Sequence, residues 1–128
     1  MILTDTTVVI DFLRAPTVHL VKIIQTNQAA ICGATLSEVY AGARSSADFK
    51  KYDKVLSIFS LLPTRKKTWP NLGRNLAALG SKGITVPFPD ALIATMGIEN
   101  DIEVWARDPH FPMMQKVLPQ LKLFLEPP

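Results

Sequence analysis

Short apolar runs alternate along the chain with longer stretches in which apolar residues recur every three or four positions, a pattern that predicts strands alternating with helices. Ile2 to Thr4 predicts a strand, followed by a helix from Thr7 to Arg14 that Thr6 or Thr7 can cap. Val18, Leu20, Val21, Ile23 and Ile24 stand at helical spacing before Asn27, and Ala30 to Gly33 predicts a buried strand leading into a helix that carries Glu38. Asp48 to Phe59 is the clearest amphipathic segment, with Phe49, Tyr52, Val55, Leu56 and Phe59 as its stripe and Lys50, Lys51, Asp53 and Lys54 pointing elsewhere. Leu61 to Thr64 reads as an edge strand, because Pro63 cannot donate to a ladder, and Thr68 to Ser81 as a helix with Pro70 in its first turn. Ala91, Leu92, Ile93, Ala94, Met96 and Ile98 make the next helix apolar on most faces and therefore central. A strand over Ile102 to Ala106, a helix through Met113, Met114 and Val117, and a last strand through Leu121, Leu123 and Leu125 complete the series. This alternation predicts an α/β fold of three layers, a central, mostly parallel sheet flanked by helices on both sides.

Composition narrows the class. With 128 residues, 48% hydrophobic and 20% charged, the chain is expected to form one domain over residues 1–128 with a substantial core. Its six glycines and ten prolines are spread as punctuation, with no repeat or low-complexity tract. Asp5 and Asp11 interrupt the apolar N-terminus, so it does not read as a signal peptide; no membrane span is visible, and a cytoplasmic location is expected. The single Cys32 excludes an intramolecular disulfide and reads as a buried thiol. A net charge of +3 and a pI near 9.2 are mild. Arg44, Lys50, Lys51 and Lys54 form one basic cluster and Arg65, Lys66 and Lys67 another, either a focus for phosphates or ordinary solvated helix faces.

Four acids change the picture. Asp5, Glu38, Asp90 and Asp108 each stand where an apolar run gives way to a helix start or a loop. Asp5 and Asp108 end strands or follow them, and Glu38 and Asp90 are expected to open helices, whose N-termini favour carboxylates. In parallel α/β sheets the ligand crevice lies outside the carboxyl ends of the strands, where all four could converge. Two carboxylates about 4 Å apart repel by about 4 kcal/mol at an effective dielectric near 20, so such a crevice calls for a cation. Oxygen donors without thiolate or imidazole favour Mg²⁺ or Mn²⁺, and one ion or two could activate water for in-line phosphodiester hydrolysis. No nucleophilic triad is visible; His19 reads as a partly buried surface histidine and His110 as a packing residue, with substrate contact the alternative for His110. Each acid also has a purely structural reading. Thr35 and Glu38 match the capping box T-x-x-E, Asp5 and Asp90 suit helix caps, Asp108 suits a turn before Pro109, and Asp11 suits solvent or a supporting role.

The segments LTDTTVVIDFL, TLSEVYAG and GITVPFPDALIATMGIENDIEVWARDPHF, in that order, resemble the PIN-domain ribonucleases, and in particular the VapC-like toxins of toxin–antitoxin pairs. The resemblance implies a PIN-like α/β/α fold and an endoribonuclease whose metal-binding and catalytic acids are Asp5, Glu38, Asp90 and Asp108, with Mg²⁺ or Mn²⁺ as cofactor. It further implies that Thr7 orients the cluster through its hydroxyl and that Arg107 meets a phosphate. The implied partners are RNA, a small antitoxin protein and a second copy of the chain, for which Tyr40, Phe49, Tyr52, Phe59 and Trp69 are surface candidates, core packing being the alternative. Ala106 departs from the family, which places a threonine or serine there, and that missing hydroxyl motivates a second reading: a catalytically silent PIN domain that binds RNA or protein. A phosphotransferase or receiver domain on a similar sheet is a third, disfavoured because Thr7 stands where the former needs an acid.

Overall fold

The structure, a computed structural model, describes residues 1–128. Four strands, β1 (Ile2–Thr4), β2 (Ala29–Cys32), β3 (Ser60–Leu62) and β4 (Glu103–Trp105), form one sheet in the order β3-β2-β1-β4, with every pair parallel. Seven helices surround it: α1 (Thr6–Arg14), α2 (Val18–Thr26), α3 (Gly33–Ala41), α4 (Ser46–Leu56), α5 (Thr68–Ser81), α6 (Phe88–Glu99) and α7 (His110–Val117). None is long and apolar enough to cross a membrane.

The strands read as continuous apolar runs because both of their faces are covered. Ile2, Ala29, Ile31 and Trp105 face one core, shared with Val8, Val9 and Phe12 of α1, Leu20, Ile23 and Ile24 of α2, and Leu56 of α4. Leu3, Cys32 and Val104 alternate to the opposite core, shared with Leu72 and Leu79 of α5, Leu92, Ile93 and Met96 of α6, and Phe111 and Met114 of α7. Cys32 is a free, buried thiol, as expected. Helix α6 lies so close to the sheet that a Cβ on Gly97 would stand 2.5 Å from Val104 Cγ2, which is why glycine occupies that turn.

Three sequence expectations are corrected. The amphipathic segment starts earlier and stops short of Phe59: Ser45 caps α4 by accepting from the Asp48 N–H at 3.2 Å, and Phe59 lies beyond the helix, edge-on to Phe12 in the core. Phe59 is therefore not a surface residue, whereas Phe49 and Trp69 are half exposed. The edge strand ends at Leu62, before Pro63. The last strand reduces to one bridge, Val104 with Leu123, because Leu125 finds no face and Pro127 and Pro128 have no donors to extend a ladder.

The order of the strands positions the site. From β1 the chain moves outward on one side through β2 and β3, then returns to place β4 on the other side of β1. The carboxyl ends of β1 and β4 thus flank the switch point of the sheet, where a crevice opens between connections that diverge.

Candidate functional site

Asp5 follows the last residue of β1 and caps α1: its backbone is extended (φ −74°, ψ 156°), and Oδ2 accepts from the Thr7 N–H at 3.2 Å and from the Thr7 hydroxyl at 2.5 Å. Thr7 thus holds the Asp5 carboxylate through both its N–H and its hydroxyl, and the helix cap and the crevice carboxylate are one side chain. Asp5 is 1% exposed. Burial pushes its carboxyl above the usual range; Thr7 and the local backbone amides oppose that rise, and the charge of Asp108 adds to it.

Asp90 stands in the first turn of α6, behind Pro89, whose missing N–H costs nothing at a helix start. Asp108 follows β4, and its Oδ1 accepts the His110 backbone N–H at 2.8 Å, tying the β4–α7 turn. The His110 ring lies between the two carboxylates, Nδ1 being 2.9 Å from Asp90 Oδ2 and 2.9 Å from Asp108 Oδ1. Burial raises the Asp90 carboxyl, with help from the charges of Asp5 and Asp108 and against the pull of His110. The hydrogen bond to Asp90 raises the His110 imidazole above its ordinary value, burial opposes it, and the Asp108 charge reinforces it. Two carboxylates, Asp90 and Asp108, thus meet one imidazole, and the buried Asp5 feels the charge of Asp108 and acts on Asp90 in turn, leaving an excess of negative charge at the switch point.

Glu38 is placed differently from the expectation. It sits midway along α3 rather than opening it, and no capping box forms, since α3 starts at Gly33 and Thr35 lies inside the helix with its hydroxyl buried. Instead Glu38 Oε1 accepts from the Thr6 hydroxyl at 3.0 Å, and Thr6 Oγ1 lies 2.9 Å from Thr35 Oγ1. With the Thr6 proton given to Glu38, Thr35 is the donor to Thr6, a relay that joins Glu38 to the residue next to Asp5. Glu38 stays exposed on the rim, outside the close group of Asp90, Asp108 and His110 whose donor atoms all lie within 4.8 Å of one another.

Arg107 is also placed differently: all three of its nitrogens donate inside the protein, Nη1 to Asp11 Oδ2 at 2.9 Å, Nε to Glu126 Oε1 at 3.0 Å and Nη2 to Glu126 Oε2 at 2.9 Å. Glu126 Oε1 also accepts from the buried Trp105 indole at 2.8 Å. The guanidinium is thus a structural clasp between α1, β4 and the C-terminal tail. Asp11, partly exposed on α1, binds Arg107 rather than the acidic group, and Asp108 is held by the His110 backbone N–H. Sequence reasoning missed Thr6, Glu126 and the central position of His110; only the last left a signal, the two-residue spacing from Asp108.

The donor set suits a hard divalent cation. Carboxylate oxygens dominate it, Asp5 and Asp90 are raised by burial first and by neighbouring carboxylate charge second, and a cation would offset both.

Comparison with solved structures places the fold among known ones. A chain of VapBC2 from Rickettsia felis, solved bound to a DNA fragment from its promoter, superposes with a TM-score of 0.81 at 20% identity over 97% of this chain and 98% of that one. A chain of DNA-bound VapBC from Salmonella typhimurium gives a TM-score of 0.79 at 20% identity over 97% and 98%. A chain of a toxin–antitoxin complex from Klebsiella pneumoniae gives 0.69 at 20% identity over 94% and 95%. At that identity the likeness speaks for the fold. No curated relative matches the sequence. The family model for the PIN domain matches residues 2–117, nearly the whole chain, and the protein belongs to the PIN domain family.

Proposed function

We propose that the protein is a divalent-metal-dependent endoribonuclease acting as the toxin of a toxin–antitoxin pair. The observation that carries this reading is the close approach of Asp90 and Asp108 beside the buried Asp5 at the sheet's switch point, with Asp5 and Asp90 held above the usual carboxylate range by burial and by neighbouring carboxylate charge. Asp5, Asp90 and Asp108 would hold Mg²⁺ or Mn²⁺, and Glu38, on the rim, would complete the acidic wall. Bound there, the cation supplies Lewis acidity for in-line hydrolysis of a phosphodiester. The chain's own contribution is positional. Thr7 fixes the Asp5 carboxylate, the first turn of α6 presents Asp90, and the β4–α7 turn presents Asp108.

RNA as substrate is supported by the basic residues of α4 and of the segment before α5, which can attract phosphates. An antitoxin partner is supported by the similarity to chains of solved toxin–antitoxin assemblies. Half-exposed Phe49, Leu61, Trp69 and Phe88 offer apolar surface for such a partner or for a second copy. The test is cleavage of labelled RNA by the purified chain in Mg²⁺ or Mn²⁺, with and without a chelator. Metal-dependent internal cuts that Asp5→Asn abolishes are expected; cleavage that survives the chelator, or is equally strong in Asp5→Asn, contradicts the reading.

A further inference from the structure

Resting on the metal-site reading above, we propose that His110 is itself a ligand of the divalent cation, through Nδ1, and that this nitrogen makes the site prefer Mn²⁺ to Mg²⁺. The imidazole nitrogen stands 2.9 Å from Asp90 Oδ2 and 2.9 Å from Asp108 Oδ1. A ring N–H has one proton, so the two oxygens share it in a three-centre contact, whereas a cation that displaced this proton would be met by the nitrogen and both oxygens at once. Neighbouring ligands around an octahedral ion with bonds of roughly 2.1 Å stand about 3 Å apart, which is the spacing of this nitrogen from each carboxylate.

The ring is not free to wander. Its backbone N–H is bound to the same Asp108 oxygen at 2.8 Å, and Phe111, the next residue, is buried at 1% exposure in the core beneath α7. The nitrogen is therefore presented to the crevice by a turn that also presents Asp108, and one short segment delivers an oxygen and a nitrogen together. Chemistry then sets the selectivity. Mg²⁺ demands oxygen donors and holds its water tightly, whereas imidazole is an ordinary ligand for transition metals, so a mixed donor set moves the preference toward Mn²⁺.

The experiment uses the full chain with Mn²⁺ alone, and Mg²⁺ alone in a parallel arm, without RNA. Pulsed electron paramagnetic resonance of bound Mn²⁺ is expected to show modulation from a directly coordinated nitrogen in the unsubstituted protein. That modulation should vanish in His110→Ala and in His110→Gln, the second variant guarding against loss of fold in the first. Calorimetry is expected to show Mn²⁺ affinity falling by about tenfold on either substitution and Mg²⁺ affinity by less than threefold. Bound Mn²⁺ without nitrogen modulation, or unchanged Mn²⁺ affinity in both variants, overturns the role of His110 and leaves the carboxylate site standing. Failure of the unsubstituted protein to bind either ion overturns both.

Discussion

Two charged clusters lie side by side at the carboxyl end of β4, one built around Arg107 and the other around Asp108, and they are opposite in character. In the first, Arg107 is answered by Asp11 and Glu126, and the guanidinium holds Glu126 below the usual carboxylate range while its own proton is held more tightly. Arg107 and Glu126 each favour their charged forms, which is what a structural clasp needs. In the second, Asp5, Asp90 and Asp108 outnumber the single imidazole, and Asp5 and Asp90 are pushed toward their neutral forms. A cluster whose charges oppose folding is retained for something other than stability, and a divalent cation supplies the missing balance. Neighbours in sequence, the two clusters separate what holds the molecule together from what it does.

The largest effect that can break this comparison is on activity. Asp5→Asn removes a carboxylate but keeps an oxygen for the Thr7 N–H and hydroxyl, so RNA cleavage should fall by roughly 10²- to 10³-fold, the equivalent of about 3 to 4 kcal/mol of transition-state stabilisation. Its melting temperature should hold or rise, because a buried charge is gone. A fall in melting temperature with cleavage intact would assign Asp5 to structure. The clasp should behave in reverse. Glu126→Ala strips the acceptor from the buried Trp105 indole and from two Arg107 nitrogens, costing about 2 to 3 kcal/mol after the exposure of the ion pair is discounted. Differential scanning fluorimetry should read several degrees of destabilisation, with metal affinity unchanged.

Cation binding sharpens the same contrast. At one hundred times its dissociation constant Mn²⁺ should stabilise the unsubstituted protein by about 2.7 kcal/mol and Glu126→Ala equally, but Asp90→Asn far less. The smallest effect is the pH dependence without metal. Asp5 and Asp90 have raised folded pKa values, so their contribution is fully present below the unfolded carboxylate value near about 4 and is lost as pH rises through the folded values. Glu126 has a lowered value, so its contribution is present above the unfolded value and is lost as pH falls through the folded one. The stability gap between Asp5→Asn and the unsubstituted protein should therefore close as pH drops from 7 toward 4, while the gap for Glu126→Ala should close only at still lower pH. Urea titrations across that range check both.

The sheet was legible because its strands are buried on two faces, so Ile2 to Thr4 and Val104 to Trp105 carry no polar alternation to disguise them. The three converging acids were legible because each follows a strand or opens a helix, and those ends share one edge of a parallel sheet. Glu38 was misplaced by local pattern: T-x-x-E fits a cap, but α3 begins two residues before Thr35, where the extended backbone of Cys32 ends β2. The clasp was not legible at all, since tertiary packing brings Arg107 to Asp11 across 96 positions of sequence and to Glu126 across 19. The tail misled because alternating leucines suggest a strand whether or not a sheet face remains to receive them. His110 was undervalued because a lone histidine beside a proline carries no sign of which two carboxylates it will face.

The central claim, that the crevice at the ends of β1 and β4 is built for a divalent cation, is tested most directly by anomalous diffraction from crystals soaked in Mn²⁺. The account predicts a manganese peak about 2.2 Å from oxygens of Asp90 and Asp108, on the side facing Asp5. A map with no peak there at saturating Mn²⁺, or with manganese bound only elsewhere on the molecule, would contradict it.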